Sequence, residues 1–139
     1  MNQNQLQILK LLEELPDSSD FELAPATSLQ ITVFIERAAA KKVPENVIAQ
    51  LVELYEVADG YVNYMVIGFF NCDDETIFEW WDDYQELWIG QRDFNTLRWA
   101  NGKFCLGDAS SISYDKFYES PTLVGLIEIC RNEMLRAID

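Results

Sequence analysis

Asn101-Gly102 lies between two alternating runs, Thr96-Leu97-Arg98-Trp99 and Phe104-Cys105-Leu106-Gly107, which is the strongest short-range hairpin signal a chain carries. A type I′ turn needs φ > 0 at both central residues, and asparagine followed by glycine meets that need at the lowest steric cost. With those two in the turn, Ala100 faces Lys103 and the rest of the ladder follows. Trp99 pairs with Phe104 and Leu97 with Leu106 on one face. Arg98 pairs with Cys105 and Thr96 with Gly107 on the other. A slip of one residue breaks both apolar pairs and sends one strand's set toward water, so the register is well specified.

At 139 residues the chain fits one domain, spanning 1–139, with enough length to bury a single core. No stretch approaches the ~20 consecutive apolar residues of a membrane span. The opening Met1-Asn2-Gln3-Asn4-Gln5 carries no basic region leading into an apolar run, so a cytoplasmic protein without a secretory signal is expected. The three cysteines, Cys72, Cys105 and Cys130, are widely spaced with no C-x-x-C and read as reduced, buried thiols. Histidine does not occur, which removes Ser-His-Asp and Cys-His catalysis, histidine bases and zinc sites built on imidazole. Ten basic residues against 24 acidic ones leave a net charge of −14. That charge argues against nucleic acid or anionic lipid as a partner and favours either simple solubility or capture of a basic protein.

In chain order, Gln3–Leu15 patterns as a helix with Leu6, Leu9 and Leu12 near one face, ended by Pro16. Pro16–Thr27 is rich in turn residues and reads as a loop. Ser28–Lys42 is two-sided: Ile31-Thr32-Val33-Phe34-Ile35 favours strand, whereas Glu36-Arg37-Ala38-Ala39-Ala40-Lys41-Lys42 favours helix. A cap at Thr27 or Ser28 tips the expectation toward helix. Pro44 opens a clearer helix with a stripe of Val47, Ile48, Leu51, Tyr55 and Ala58, stopped at Asp59-Gly60. Val62–Cys72 is expected to form one or two strands, and strand patterning resumes at Leu87-Trp88-Ile89. At the far end, Ser120 as cap and Pro121 as first helical residue open a helix bearing Leu123, Leu126, Ile127, Cys130, Met134 and Ile138, with Arg131 and Arg136 toward its end. N-terminal and C-terminal helices flanking a central antiparallel sheet make the expected fold α+β.

Asp73–Glu86 has the most unusual composition: seven acids (Asp73, Asp74, Glu75, Glu79, Asp82, Asp83 and Glu86) and no base. Laid on a helix, Ile77, Trp80, Trp81, Tyr84 and Leu87 fall within an arc of about 120°, with the acids opposite and Phe78 out of place. The late acids oppose the helix dipole and repel one another. Such a segment is a candidate contact surface, its carboxylates steering a basic partner and Trp80 or Phe78 anchoring a pocket. The competing reading is a solvated acidic face whose aromatics are core.

Three stretches resemble the SUKH superfamily, the Smi/Knr-like domain. Val43-Pro44 through Leu54-Tyr55 to Asp59-Gly60 is similar to its early pattern, with Val43 where leucine is usual and Asp59 where asparagine is usual. Ile89-Gly90-Gln91-Arg92-Asp93 with the following hairpin resembles its central strands. Leu106-Gly107-Asp108-Ala109-Ser110, Ser113-Tyr114 and Ser120-Pro121-Thr122-Leu123 resemble its C-terminal part. The resemblance covers about residues 28 to 135 in order; residues 1–26 and the acidic segment match no motif of it. It implies a non-enzymatic α+β protein-binding module without cofactor. Many bacterial members look like immunity proteins that neutralise a cognate toxin domain, frequently a nuclease. The yeast relatives are linked to regulation of cell-wall glucan synthesis, so a regulatory or scaffold role is the alternative.

Other candidates weigh less. Arg92 and Asp93 fit a recognition pair or a structural ion pair, and Asp108 fits a partner-facing carboxylate or an Asx-type turn. Asp73-Asp74-Glu75 lacks the D-x-D-x-D-G spacing of a calcium loop, so no metal is expected. A carboxylate-pair hydrolase needs two acids across a cleft, and a chain this acidic offers too many pairs to single one out.

Overall fold

The computed structural model describes residues 1–15, 23–63, 67–92, 95–108 and 116–138. The fold is α+β, built on an antiparallel sheet in which each strand pairs with the next. Its strands are β1 (Val62–Asn63), β2 (Ile67–Phe69), β3 (Leu87–Arg92), β4 (Asn95–Ala100), β5 (Lys103–Asp108) and β6 (Lys116–Ser120). The hairpin forms in the expected register: Ala100 opposes Lys103, Trp99 opposes Phe104, Arg98 opposes Cys105, Leu97 opposes Leu106 and Thr96 opposes Gly107. Asn101 (φ 53°) and Gly102 (φ 79°) both take the left-handed conformation that this turn demands. The ladder is irregular between Trp88 and Gly90, where a bulge lets β3 bend against β4, and again between Leu106 and Gly107, where β5 meets β6. Gly90 is required in β3 by a close approach: a Cβ on it would sit 2.2 Å from the Gly68 carbonyl oxygen of β2.

Among the described residues, five α-helices accompany the sheet: α1 (Gln3–Glu13), α2 (Ser28–Ala40), α3 (Glu45–Ala58), the single turn α4 (Trp81–Tyr84) and α5 (Leu123–Ile138). A capping box opens α1, with Asn2 and Gln5 exchanging side chain-to-backbone hydrogen bonds, and a second one opens α2 between Thr27 and Gln30. The cap decides the two-sided 28–42 stretch for helix. The inward face of α1 is Ile8, Leu11 and Leu12, continued by Leu15, whereas Leu6 is exposed. That corrects the expected Leu6/Leu9/Leu12 face by one step: Ile8, Leu11, Leu12 and Leu15 fit the i, i+3, i+4, i+7 stripe better. The α3 stripe is buried as expected and is widened by Leu54 and Val57.

The C-terminal cap also differs from expectation. Thr122 accepts the Gly125 amide through its Oγ1 (3.0 Å), and Ser120 accepts the Thr122 amide instead (3.2 Å). The helix therefore starts at Leu123, two residues beyond the expected proline. Helix α1 packs on both α3 and α5, α5 also lies on β5 and β6, and α2 leans on α3. One buried cluster runs through all of them, from Ile8 in α1 through Leu51 and Ile77 to Ile127 in α5. Among the described residues, no helix is long and apolar enough to cross a membrane.

Candidate functional site

The Asp73–Glu86 segment is not one helix. It is a 3-10 turn over Glu75–Phe78, then the single turn α4, then a reversal at Gln85, whose φ of 55° sends the chain into β3. Asp74 caps the 3-10 turn, accepting the Thr76 amide at 2.9 Å. The tighter turn brings Ile77 and Phe78 inward together, so the aromatic that a regular helix leaves out of place becomes core. The repulsion among late acids, which a long helix would have to bear, is relieved by ending the helix at Tyr84.

The adjacent tryptophans diverge. Trp81 is buried against Trp99, with ring centroids 6.1 Å apart, and its indole N–H donates to the Lys41 carbonyl at 2.7 Å. Trp80 is half-buried and stacks on Trp88 at 5.3 Å, with Tyr84 on it at 5.9 Å. Trp88 and Trp99 project from opposite faces of the sheet, since Trp88 opposes Arg98 while Trp99 opposes Leu87. The two indoles thus grip the end of the sheet from both sides. Among the described residues, the buried Trp80 indole nitrogen has no hydrogen-bond partner.

Behind Trp88 lies a buried ion pair. Arg98, fully buried, donates to Glu86 Oε1 at 2.9 Å and sets its guanidinium 4.5 Å from the Trp88 ring centre. The Trp88 indole N–H donates to the same carboxylate oxygen at 3.2 Å. Glu86, expected on the contact surface, is therefore an internal carboxylate holding the second face of the sheet. Phe78, expected as an interface anchor, is also removed from the surface: it packs on Phe34, under the guanidinium of Arg37. Both corrections have one cause, the break in the helix that re-aims every side chain after Asp74.

What remains outside is a ridge of carboxylates. Asp73, Glu75, Glu79, Asp82 and Asp83 are exposed, and Asp74 is half-buried in its capping role. Lys41 Nζ meets Asp82 at 3.2 Å, in a pair whose acid is 76% exposed, and Gln30 donates to Asp73 at 3.4 Å. At its far end the ridge borders an open groove of about 480 Å³, where Asp82, Asp83 and Tyr84 face Trp99 and the hairpin tip at Asn101. Asp108 ends β5 opposite Asn95, away from the hairpin tip that closes this groove, and its side chain lies outside the described set. Asp93, of the Arg92/Asp93 pair, lies outside the described residues, as do Ala109–Tyr114 of the C-terminal motif.

Elsewhere the titratable groups are built for structure. The Asp59 carboxylate accepts the Cys72 amide at 2.8 Å, tying the end of α3 to the approach to the acidic segment. Burial raises the Asp59 carboxyl above its ordinary range despite that bond, and burial pushes the Cys72 thiol up to about 12 and Cys130 to about 11. Burial likewise raises Tyr55, whose hydroxyl has no hydrogen-bond partner among the described residues. A thiol held protonated in this way is the opposite of an activated nucleophile. Among the described residues, no group of three or more Cys, Asp or Glu side chains is placed to hold a metal ion.

The buried Glu86–Arg98 pair goes beyond the sequence expectations. Its signal is in the sequence: Arg98 is a lone base between Leu97 and Trp99, on a strand whose other face is already core. Compared with protein-family models, with curated proteins and with solved structures, the chain matches none.

Proposed function

We propose that the chain is a non-enzymatic binding module that captures a basic protein on the Asp73–Asp83 ridge. The observation that carries this reading is the contrast within the ridge itself. Five exposed carboxylates are presented on a segment that Ile77, Phe78 and Trp81 anchor in the core, with Lys41 as their close counter-charge. Fixed like charges on a rigid support raise the encounter rate with a cationic partner and cost little further ordering when it binds. The resemblance to the SUKH superfamily narrows the proposal to an immunity protein: the ridge would occlude a toxin's nucleic-acid site, its carboxylates standing where phosphates otherwise sit. The resident cell-envelope or regulatory role is the alternative outcome of the same test.

That test is affinity capture from the native cell at low and high salt, repeated with an Asp82→Lys/Asp83→Lys variant. A basic, toxin-like partner released by salt, whose association slows about tenfold or more in the variant, is the expected result. Capture that is indifferent to both salt and the double reversal would sink the electrostatic mechanism. A salt-resistant envelope or regulatory protein would favour the scaffold role.

A further inference from the structure

Helix α2 runs alongside the ridge and is bolted to it at every turn. Gln30 reaches Asp73, Phe34 packs on Phe78, Arg37 covers the Phe78 ring, and Lys41 meets both Asp82 and the Trp81 indole. These contacts fall at i, i+4, i+7 and i+11, so one stripe of α2 is used up by the acidic segment. The stripe one residue earlier, Leu29, Val33, Glu36 and Ala40, lies about 100° round the helix and has no such cover. Leu29 is 73% exposed and Val33 41%. These are large apolar side chains on the outer flank of a helix whose other faces meet α3 and, through Gln30 and Lys41, the carboxylates of Asp73 and Asp82.

We infer that this α2 stripe and the ridge form one composite docking surface, and that its occupant is an amphipathic basic segment of the partner protein. The inference rests on the acidic-ridge reading and adds a shape to it: apolar side chains seat on Leu29 and Val33 while lysines or arginines of the same segment reach the exposed carboxylates of the ridge. Charge selects this occupant. A second copy of the chain would bring two ridges together on molecules of net charge −14, and an anionic membrane would meet the same repulsion.

The probe is a synthetic leucine/lysine peptide patterned at helical spacing, set against a peptide of identical composition with the spacing scrambled. The patterned peptide is expected to bind about tenfold tighter. A Leu29→Ser/Val33→Ser variant is expected to lower its affinity to that of the scrambled peptide, while leaving the scrambled peptide and the thermal unfolding midpoint unchanged. Equal affinity for both peptides, or indifference to the double variant, would overturn the composite surface and leave the acidic ridge standing. If neither peptide binds at low salt, the ridge reading falls and this inference with it.

Discussion

The hairpin Asn95–Asp108 and the segment Asp73–Glu86 are neighbours in space, rich in aromatic residues and opposite in character. In the hairpin, the turn chemistry and the alternation agree, and both faces are buried: Leu97 and Phe104 on one, Thr96, Arg98 and Cys105 on the other. In the segment, the helical pattern and the charge distribution disagree, and the charge prevails by breaking the helix. A strand ladder is fixed by two turn residues and a parity. An amphipathic arc holds only while nothing on the sheet competes for its side chains, and here Trp88 and Trp99 claim Trp80 and Trp81 separately.

That contrast assigns Glu86 to the interior and Asp73, Glu75, Glu79, Asp82 and Asp83 to the surface, and substitutions can break the assignment. The largest effect is expected at Glu86→Ala, which removes a direct carboxylate partner of a buried guanidinium and should cost about 3–5 kcal/mol in chemical denaturation. A loss below about 1 kcal/mol, the range of an exposed pair, would return Glu86 to the surface group. Next is Gly102→Val, which forces a β-branched residue to φ 79° and should cost about 1–2 kcal/mol. An unchanged midpoint would mean that the turn does not hold the register. The Asp82→Lys/Asp83→Lys variant comes third: it should shift stability by under about 0.5 kcal/mol while slowing association, because the Lys41–Asp82 pair it removes is exposed.

The most pH-dependent effect is expected at Asp59→Asn. The folded carboxyl is raised by burial, so the fold holds its full Asp59 contribution below the ordinary value near 3.8 and loses it as pH rises through the raised one. Asparagine keeps the acceptor for the Cys72 amide without the charge. The variant should be more stable than the parent at neutral pH, with the gap closing as the medium becomes acid. A gap that widens on acidification would reverse the sign.

Legibility followed the same divide. The register of β4 and β5, the α3 stripe and the α+β class could be read because each rests on local periodicity reinforced by a turn or cap residue. The capping box at Thr27 also settles α2 locally. What could not be read rests on contacts distant in sequence. Phe78 becomes core through Phe34, Trp81 is placed by the Lys41 carbonyl, and Glu86 is drawn inward by Arg98, twelve positions away. Five of the carboxylates named from composition do reach the surface. Their arrangement as a ridge backed by α2 needs the fold.

The pair of indoles at 5.3 Å has an optical consequence. Two chromophores stacked this closely exchange excitation, so Trp80 and Trp88 should give a coupled near-ultraviolet circular dichroism band that neither produces alone. Because Tyr84 both packs on Trp80 and lines the groove, a molecule settling on the ridge would disturb that band. The protein carries its own label-free reporter of occupancy.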